Sequence, residues 1–406
     1  MNTLAQGSSN TQPKSVLERL AQTNTGLEVW WDSSPLVFES WVKEMVENAP
    51  EEKKDLLEAQ LKRVFDAKNP KNSLIRGVTT NPPLSLAAMK HDPERWSAWI
   101  ANYVKAHPEA EVYEVFWALY KEIVRLGAEK LQPIFENSGY EYGYISAQVD
   151  PHHNFDEEII LEQALDLSKI AKNVMIKVPG SKEGVKVIKE LTARGIPTNC
   201  TSAYVVPQFV AVAEAVLEGL DIARKNGVDL TYWRSVVTDM SVRWENSPAF
   251  DESADEAGVT LEDNDKRWAG VAIFKNAYKV YRQRAYPSKM LICSVRMGPE
   301  VDGVMRTWHL EYTAGANAVF TLPPVYLTKL FTEGDHLDFE SRIWDDIPTD
   351  VMTRLQKVPY FKKAYDPDGM TIEEFNDHAP LIATWQEFSK ATDNMIAFVN
   401  EVMEKL

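Results

Sequence analysis

The sequence predicts an α/β protein that folds as a closed (β/α)8 barrel of the TIM type with a helical carboxy-terminal extension. Short apolar runs alternate with longer segments of helical spacing from residue 27 to about residue 330, which is typical of a parallel sheet wrapped by helices. Eight such units favour a closed barrel, and an open doubly wound sheet is the alternative. No G-x-G-x-x-G turn follows any of these strands, so the dinucleotide-binding fold is disfavoured.

Each predicted strand is a short, mostly apolar run, and several end at glycine, proline or polar residues. The eight strands are predicted at residues 28–31, 75–78, 143–149, 173–178, 197–200, 230–237, 290–295 and 316–321. The segment between the fourth and fifth strands illustrates the helices, because Val185, Ile188 and Leu191 recur at helical spacing and Gly195 can end the helix.

The domain organisation follows from the same pattern. We expect a polar tail at residues 1–26, the barrel at 27–335 and a helical extension at 336–406. Residues 36–67 predict two helices before the second strand. Residues 380–406 predict an amphipathic helix that packs across the barrel.

Composition excludes several classes of partner. The chain has 406 residues with 44 Lys and Arg against 60 Asp and Glu, and a net charge of −16 repels nucleic acids and anionic lipid surfaces. Cys200 and Cys293 are too few for a disulfide framework, which favours a reducing cytoplasm. We find no signal peptide pattern and no apolar run of the roughly 18 residues that span a membrane. A homodimer is compatible with the sequence.

Polar residues recur where the apolar strands end, and the carboxyl ends of the strands form the active-site face of such a barrel. A single polar residue there is more often a helix cap or a turn residue, but recurrence at most strands favours a site. The candidates are Asp32, Thr79, Asn81, Gln148, Asp150, Lys177, Asn199, Thr201, Ser235, Thr238, Ser294, Arg296 and Thr321.

Lys177 is the sharpest single candidate. Strand alternation places Lys177 and Met175 on one face, while the valine and isoleucine residues between and beside them face the helices. A lysine inside a barrel is costly as an ammonium, and burial lowers its pKa towards the free amine that attacks a carbonyl. A Schiff-base lysine is one interpretation. The other is a structural lysine paired with a carboxylate such as Asp32.

Three segments together resemble the signatures of the transaldolase family: GVTTNP at 77–82, IKVP at 176–179 and GIPTNCT at 195–201. Asp32 after the first strand and the Ser294-Val295-Arg296 run after the seventh extend the resemblance over most of residues 28–330. The TTNP tetrapeptide alone is moderately specific. Its combination, in order, with the lysine strand and the N-x-T strand is highly specific.

The resemblance implies a cofactor-independent enzyme of the pentose phosphate pathway that moves a dihydroxyacetone unit from a ketose phosphate, such as sedoheptulose 7-phosphate, to an aldose phosphate. Lys177 would form the imine, and Asp32 would take the hydroxyl proton that triggers carbon–carbon cleavage. Thr201 would help to position the catalytic water. Substrate contacts are expected from Asn81 and Asn199 on the three-carbon unit, from Ser294 and Arg296 on the phosphate, and from Thr79 and Ser235.

Two departures from the family pattern leave alternatives open. Gln148 stands where transaldolases carry a glutamate, as in the related fructose-6-phosphate aldolases, and we expect it to hold a water without exchanging protons. The family's arginine after the sixth strand is missing or is supplied by Arg243 after a shift. An aldolase, or a transaldolase for another or modified sugar, is therefore the alternative. A degenerate barrel with a binding or regulatory role is disfavoured by the intact lysine, aspartate and asparagine set.

No cofactor is expected. Asp150, His152, His153 and Asp156 are close in the chain and are candidate metal ligands, but consecutive histidines rarely converge on one ion. Neither a P-loop nor a G-x-S-x-G sequence occurs. We therefore predict no metal ion.

Overall fold

The computed structural model describes residues 13–66 and 68–406, and its central feature is a barrel of parallel strands. The barrel strands are β1 (Glu28–Asp32), β2 (Ile75–Thr79), β3 (Tyr144–Gln148), β4 (Val174–Pro179), β5 (Thr198–Ala203), β6 (Ser235–Met240), β7 (Lys289–Cys293) and β10 (Val319–Leu322). They are hydrogen-bonded in the closed order β1-β10-β7-β6-β5-β4-β3-β2, which confirms the predicted (β/α)8 barrel. A small antiparallel hairpin, β8 (Glu300–Val301) with β9 (Val304–Met305), lies outside the barrel.

Helices follow the strands and wrap the barrel, with additional helices before β2 and after β10. They are α1 (Val16–Ala21), α2 (Phe38–Glu47), α3 (Lys54–Val64), α4 (Pro82–His91), α5 (Pro93–Ala106), α6 (Val112–Asn137), α7 (Glu157–Leu167), α8 (Lys182–Ala193), α9 (Val206–Lys225), α10 (Ser241–Glu245), α11 (Pro248–Glu256), α12 (Asp263–Gln283), α13 (Trp308–Thr313), α14 (Pro324–Glu333), α15 (Thr349–Leu355), α16 (Pro359–Tyr365) and α17 (Ala379–Met403).

The interior of the barrel is filled by side chains that alternate along the strands. On β1, Val29 and Trp31 alternate with Glu28, Trp30 and Asp32, so the latter three share the inward face. Trp30 is the register partner of Gly77 on β2, and a Cβ at Gly77 would lie 2.4 Å from the indole. Glycine is therefore the residue that leaves room for this ring.

The sixth strand starts later than the sequence predicts. The predicted range was 230–237, whereas β6 runs Ser235–Met240. Residues 229–233 form a turn instead, in which the backbone N–H and Oγ1 of Thr231 donate to Oδ1 of Asp229. Local hydrogen bonding to an aspartate side chain competes with strand pairing, and this turn shifts the strand by several residues.

The ends of the chain also differ in part from the prediction. Within the predicted tail, residues 16–21 form α1, and Val16, Leu17 and Leu20 are buried against the barrel core. This part of the predicted tail is therefore docked on the barrel core, while residues 1–12 and residue 67 lie outside the described part of the chain. At the other end, α17 packs across α4, α5 and α6. Within the described ranges, none of the helices combines the length and apolar character of a bilayer-spanning segment.

Candidate active site

A cavity of about 220 Å³ opens at the carboxyl ends of the barrel strands. It is lined by Asp32, Thr79, Asn81, Pro83, Leu84, Lys177, Thr238, Met240, Arg243, Cys293, Ser294, Thr321, Pro323 and Glu387. Most of these side chains come from strand ends or the first residues after them. Glu387 comes instead from α17, which covers this end of the barrel.

Lys177 lies deep in this cavity and is only 4% exposed. Its Nζ donates a hydrogen bond to the backbone oxygen of Thr80 at 3.0 Å, so it is held by a neutral acceptor. Burial lowers the pKa of Lys177 and outweighs the attraction of the nearby Asp32 carboxylate. The environment therefore favours the free amine, which is the nucleophilic form.

Asp32 lines the same cavity from the end of β1. Its Oδ1 accepts a hydrogen bond from Thr79 Oγ1 at 2.6 Å, and Thr79 in turn contacts the hydroxyl of Thr321. Burial raises the pKa of Asp32, although Lys177 and the Thr79 hydrogen bond oppose this shift. A carboxylate with a raised pKa can accept and return a proton near the working pH.

Asn81 caps the helix that follows β2. Its Oδ1 accepts a hydrogen bond from the backbone N–H of Leu84 at 2.9 Å, which fixes the side chain at the start of α4. Because Oδ1 is used by the cap, Nδ2 is the group that Asn81 can offer to a ligand in the cavity.

Gln148 and Asn199 are the register partners of Lys177 on the two neighbouring strands. Asn199 is bound on both sides, because its Nδ2 donates to Ser146 Oγ at 2.9 Å and its Oδ1 accepts from Thr238 Oγ1 at 2.7 Å. Gln148 Oε1 is buried and has no hydrogen-bond partner within the described structure. Both residues are paired with Lys177 in the sheet, but neither is among the residues that line the cavity.

Thr201 follows Asn199 on the same face of β5 and is fully buried. Its Oγ1 lies 3.9 Å from Met240 Sδ, a residue that lines the cavity. The hydroxyl is thus close to the cavity wall without forming part of it.

The two arginines predicted as phosphate ligands have different surroundings. Arg243, on α10, lines the cavity, and its Nη1 and Nη2 donate to the two carboxylate oxygens of Glu387 at 2.6 and 2.9 Å. Arg296 is not part of the lining. Its Nη1 donates to Asp263 Oδ1 at 2.7 Å, and its Nη2 lies 3.4 Å from Glu245 Oε2.

Ser294 and Ser235 are separated by the length of the barrel. Ser294 lines the cavity just after β7 with a backbone φ of 54°. Ser235 is the first residue of β6 and contacts Ser288 Oγ at 2.9 Å near the amino ends of the strands. The expectation that Ser235 contacts substrate is therefore corrected, because the late start of β6 places Thr238 at the cavity instead.

Six cavity residues were not predicted as functional: Pro83, Leu84, Met240, Cys293, Pro323 and Glu387. The pKa of Cys293 is raised to about 12 by burial and by Asp32, so its thiol stays protonated. Thr238 and Thr321 also line the cavity, and both are among the polar strand-end candidates identified from the sequence. No local signal marks Glu387, which is one of several acidic residues on a long helix.

Comparisons with known proteins place the chain in a family. The family model described as Transaldolase/Fructose-6-phosphate aldolase matches residues 58–378. A protein named Transaldolase from Kocuria rhizophila is 29% identical over 298 residues, covering 70% of this chain and 77% of that protein. Another Transaldolase, from Trichodesmium erythraeum, is 25% identical and covers 82% and 89% of the two chains. A third, from Mycobacterium tuberculosis, is 30% identical over 56% of this chain and 59% of its own length. With a match over most of its length and a closed parallel barrel around the cavity, this chain belongs to the transaldolase/fructose-6-phosphate aldolase family.

Proposed function

We propose that this protein is a Schiff-base transaldolase. It would transfer a dihydroxyacetone unit from a ketose phosphate, of the sedoheptulose 7-phosphate type, to an aldose phosphate. The observation that carries the proposal is the buried Lys177 amine, which shares a cavity with the Asp32 carboxylate at the carboxyl end of the barrel. Family membership and relatives named Transaldolase support a transferase. The cytoplasm is the proposed location.

The first step is imine formation at Lys177. The Nζ lone pair attacks the ketose carbonyl carbon to give a neutral carbinolamine, which takes up a proton from water at its hydroxyl and loses water to give a protonated imine. Burial favours the neutral amine that begins this step, and the hydrogen bond to Thr80 orients it. The iminium is an electron sink beside the bond that must break.

Cleavage follows when Asp32 accepts the proton of the hydroxyl next to that bond. The hydroxyl oxygen becomes an aldehyde, the carbon–carbon bond breaks, and its electron pair neutralises the iminium to leave an enamine on Lys177. Transfer reverses these steps: the enamine carbon attacks the acceptor aldehyde, and the protonated Asp32 returns its proton to the new alkoxide. Hydrolysis of the imine then releases the product.

The remaining residues would bind and orient substrate. Asn81 and Asn199 would hold hydroxyls of the three-carbon unit, while Gln148 and Thr201 would hold the water used in imine formation and hydrolysis. Because Arg243 lines the cavity and Arg296 does not, we propose Arg243, with Ser294, as the phosphate ligand.

An aldolase, or a transaldolase for another sugar, remains the second candidate. The specific observation in its favour is Gln148, a neutral amide in register with Lys177 where a transaldolase would carry a glutamate. Such an amide cannot exchange protons in the working pH range. In the aldolase reaction, a proton from water would add to the enamine carbon, and hydrolysis of the resulting imine would release the three-carbon unit in competition with transfer.

The test is borohydride trapping with a panel of ketoses and ketose phosphates, followed by mass spectrometry. We expect one adduct of a three-carbon unit on Lys177, and no adduct in Lys177→Met. Lys275→Met is the matched control, because burial lowers the pKa of Lys275 to about 8 although it lies outside the cavity. An adduct on Lys275, or a trapped Lys177→Met protein, would contradict the mechanism. An adduct that turns over without an acceptor sugar would favour the aldolase.

A further inference from the structure

The carboxy-terminal helix places an acid on the arginine of the active-site cavity. Glu387 on α17 binds Arg243 through two parallel hydrogen bonds of 2.6 and 2.9 Å, and both residues line the cavity that contains Lys177. This fork-to-carboxylate geometry is the one by which a guanidinium binds a carboxylate or a phosphate. Glu387 therefore occupies the face of Arg243 that an anionic ligand would use.

The position of Glu387 is fixed by neighbouring contacts of α17. One turn earlier, Thr384 Oγ1 accepts a hydrogen bond from Tyr204 OH at 2.6 Å, and both side chains are buried. The next residue, Phe388, is buried with its ring 5.4 Å from the Arg243 guanidinium. Trp385 packs edge-on against Phe155 at 5.5 Å. The helix thus delivers Glu387 to the cavity in a defined register.

The charges around the cavity balance in pairs. Among the lining residues that the structure describes, the basic side chains are Lys177 and Arg243, and the acidic side chains are Asp32 and Glu387. Arg243 lowers the pKa of Glu387, so this carboxylate is ionised at neutral pH. Lys177 is assigned to imine chemistry, which leaves Arg243 as the cation for an anionic end group.

We propose that Glu387 is a specificity-determining residue that competes with the anionic end group of the substrate for Arg243. The inference rests on the proposed function, in which Arg243 is the phosphate ligand. The Arg243 and Glu387 side chains are 28% and 51% exposed, so solvent screens the pair and weakens it relative to a buried one. A phosphate dianion carries more charge and more acceptor oxygens than a carboxylate, and it displaces Glu387 when it binds.

The consequence is a site whose affinity for phosphorylated ligands is set below what Arg243 alone would give. Removing the carboxylate frees the guanidinium and also removes a negative charge that repels the incoming phosphate. Sugars without an anionic group do not need Arg243, so their binding is independent of Glu387. Through Glu387, α17 therefore reduces the difference in affinity between phosphorylated and unphosphorylated sugars.

The direct test measures inorganic phosphate binding to the full chain by titration calorimetry at low salt. Glu387→Gln should bind phosphate about 5-fold to 10-fold more tightly than wild type, which corresponds to about 1 to 1.4 kcal/mol. Glu401→Gln is the matched control, since Glu401 is an exposed acid on the same helix and its substitution changes net charge equally. We expect its affinity to stay within about 2-fold of wild type, because distant surface charges are screened.

Two further measurements separate competition at Arg243 from a general effect on the site. In an Arg243→Ala background, Glu387→Gln should give no gain in phosphate affinity. With sugar substrates, Glu387→Gln should lower KM for a ketose phosphate by a larger factor than it changes KM for the dephosphorylated ketose. Glu387→Ala repeats the comparison without the amide and guards against a new hydrogen bond from glutamine.

The proposal is overturned if Glu387→Gln and Glu401→Gln bind phosphate equally, if the gain persists in Arg243→Ala, or if phosphate binds to none of the variants. Borohydride trapping of each variant keeps the proposed function separate. A Lys177 adduct with unchanged phosphate affinity refutes only the role of Glu387. Tighter phosphate binding without an adduct refutes only the Schiff-base reaction.

Discussion

Each end of strand β1 has a carboxylate near a lysine, but the two pairs differ in their hydrogen-bond partners and in the direction of the carboxyl pKa shift. At the amino end, Glu28 Oε1 accepts from Lys289 Nζ at 2.6 Å and from Arg234, and its Oε2 accepts from Trp30 Nε1 at 2.9 Å. At the carboxyl end, Asp32 accepts one bond from Thr79. The lysine there donates to a backbone oxygen instead.

The pKa shifts follow from this difference in partners. Glu28 is buried and Asp32 is partly buried, and the loss of solvent around each carboxylate acts to raise its pKa. For Glu28, two cations at close range outweigh burial, so its pKa is lowered and it stays ionised. For Asp32, burial prevails and the pKa is raised. Burial alone therefore does not set the direction of a carboxyl pKa shift in this barrel. The number of cations that pair with the carboxylate decides it.

The largest contrast is expected between the two lysines. Lys177→Met should abolish imine trapping and turnover while leaving the free energy of unfolding unchanged or higher, because a buried amine is replaced by an apolar side chain of similar length. Lys289→Met should still trap substrate but lose about 2 kcal/mol of unfolding free energy, because it removes one partner of the buried Glu28 carboxylate. Urea denaturation and borohydride trapping measure both quantities. Equal destabilisation by the two variants would contradict the comparison.

Substitutions of the two carboxylates should likewise separate activity from stability, with a smaller loss of activity than Lys177→Met gives. Asp32→Asn should lower kcat/KM about 10²- to 10⁴-fold, as expected for loss of a general base, and leave thermal stability unchanged or raised. Glu28→Gln should keep kcat/KM within a few-fold of wild type and cost about 3 kcal/mol of stability, since Arg234 and Lys289 lose their carboxylate. If Glu28→Gln lost activity and Asp32→Asn lost stability instead, the catalytic carboxylate would lie at the amino end of β1.

Activity and stability should also be lost at different pH values. Both Lys177 and Asp32 must be deprotonated to react, so kcat/KM falls as pH decreases through their pKa values, and the raised pKa of Asp32 lies above 3.8. The lowered pKa of Glu28 contributes stability that is present above about 4.5 and is lost as pH falls from there through the folded-state value. We therefore expect turnover to fail at a higher pH than folding, which rate profiles and denaturation midpoints at matched pH will check.

Local sequence was sufficient for the barrel and for part of its site. Lys177 could be placed facing inward from alternation alone, because β4 is an uninterrupted run whose register is set by burial of its other face. The same reasoning failed at β6, where Leu230, Tyr232 and Trp233 have strand character but the Asp229 turn takes precedence. Ser235 was misplaced as a result.

Residues that depend on distant partners could not be predicted. Arg296 follows β7 as a phosphate ligand would, yet Asp263 and Glu245 from two other helices hold it outside the cavity. Glu387 lies 144 residues after Arg243. Its neighbours on α17 give no indication that it lies at the carboxyl ends of the barrel strands. Such contacts are set by how the helices pack, which short sequence patterns do not encode.

Gln148 gives the finest test of the comparison, because a single substitution would make the carboxyl end resemble the amino end. Gln148→Glu would place a carboxylate in register with Lys177, whose Nζ is now bound by a neutral oxygen. A carboxylate there stabilises the ammonium form, so the pKa of Lys177 should rise and the acid limb of kcat/KM should move to higher pH. The new acid can also exchange protons with the water near the imine, so at high pH transfer to an aldose acceptor should increase relative to aldol cleavage. Gln148→Met, which keeps the volume without the charge, is the control. An unchanged pH profile in Gln148→Glu would show that this side chain is remote from the lysine, whereas complete loss of activity at every pH would show that the site requires the neutral amide.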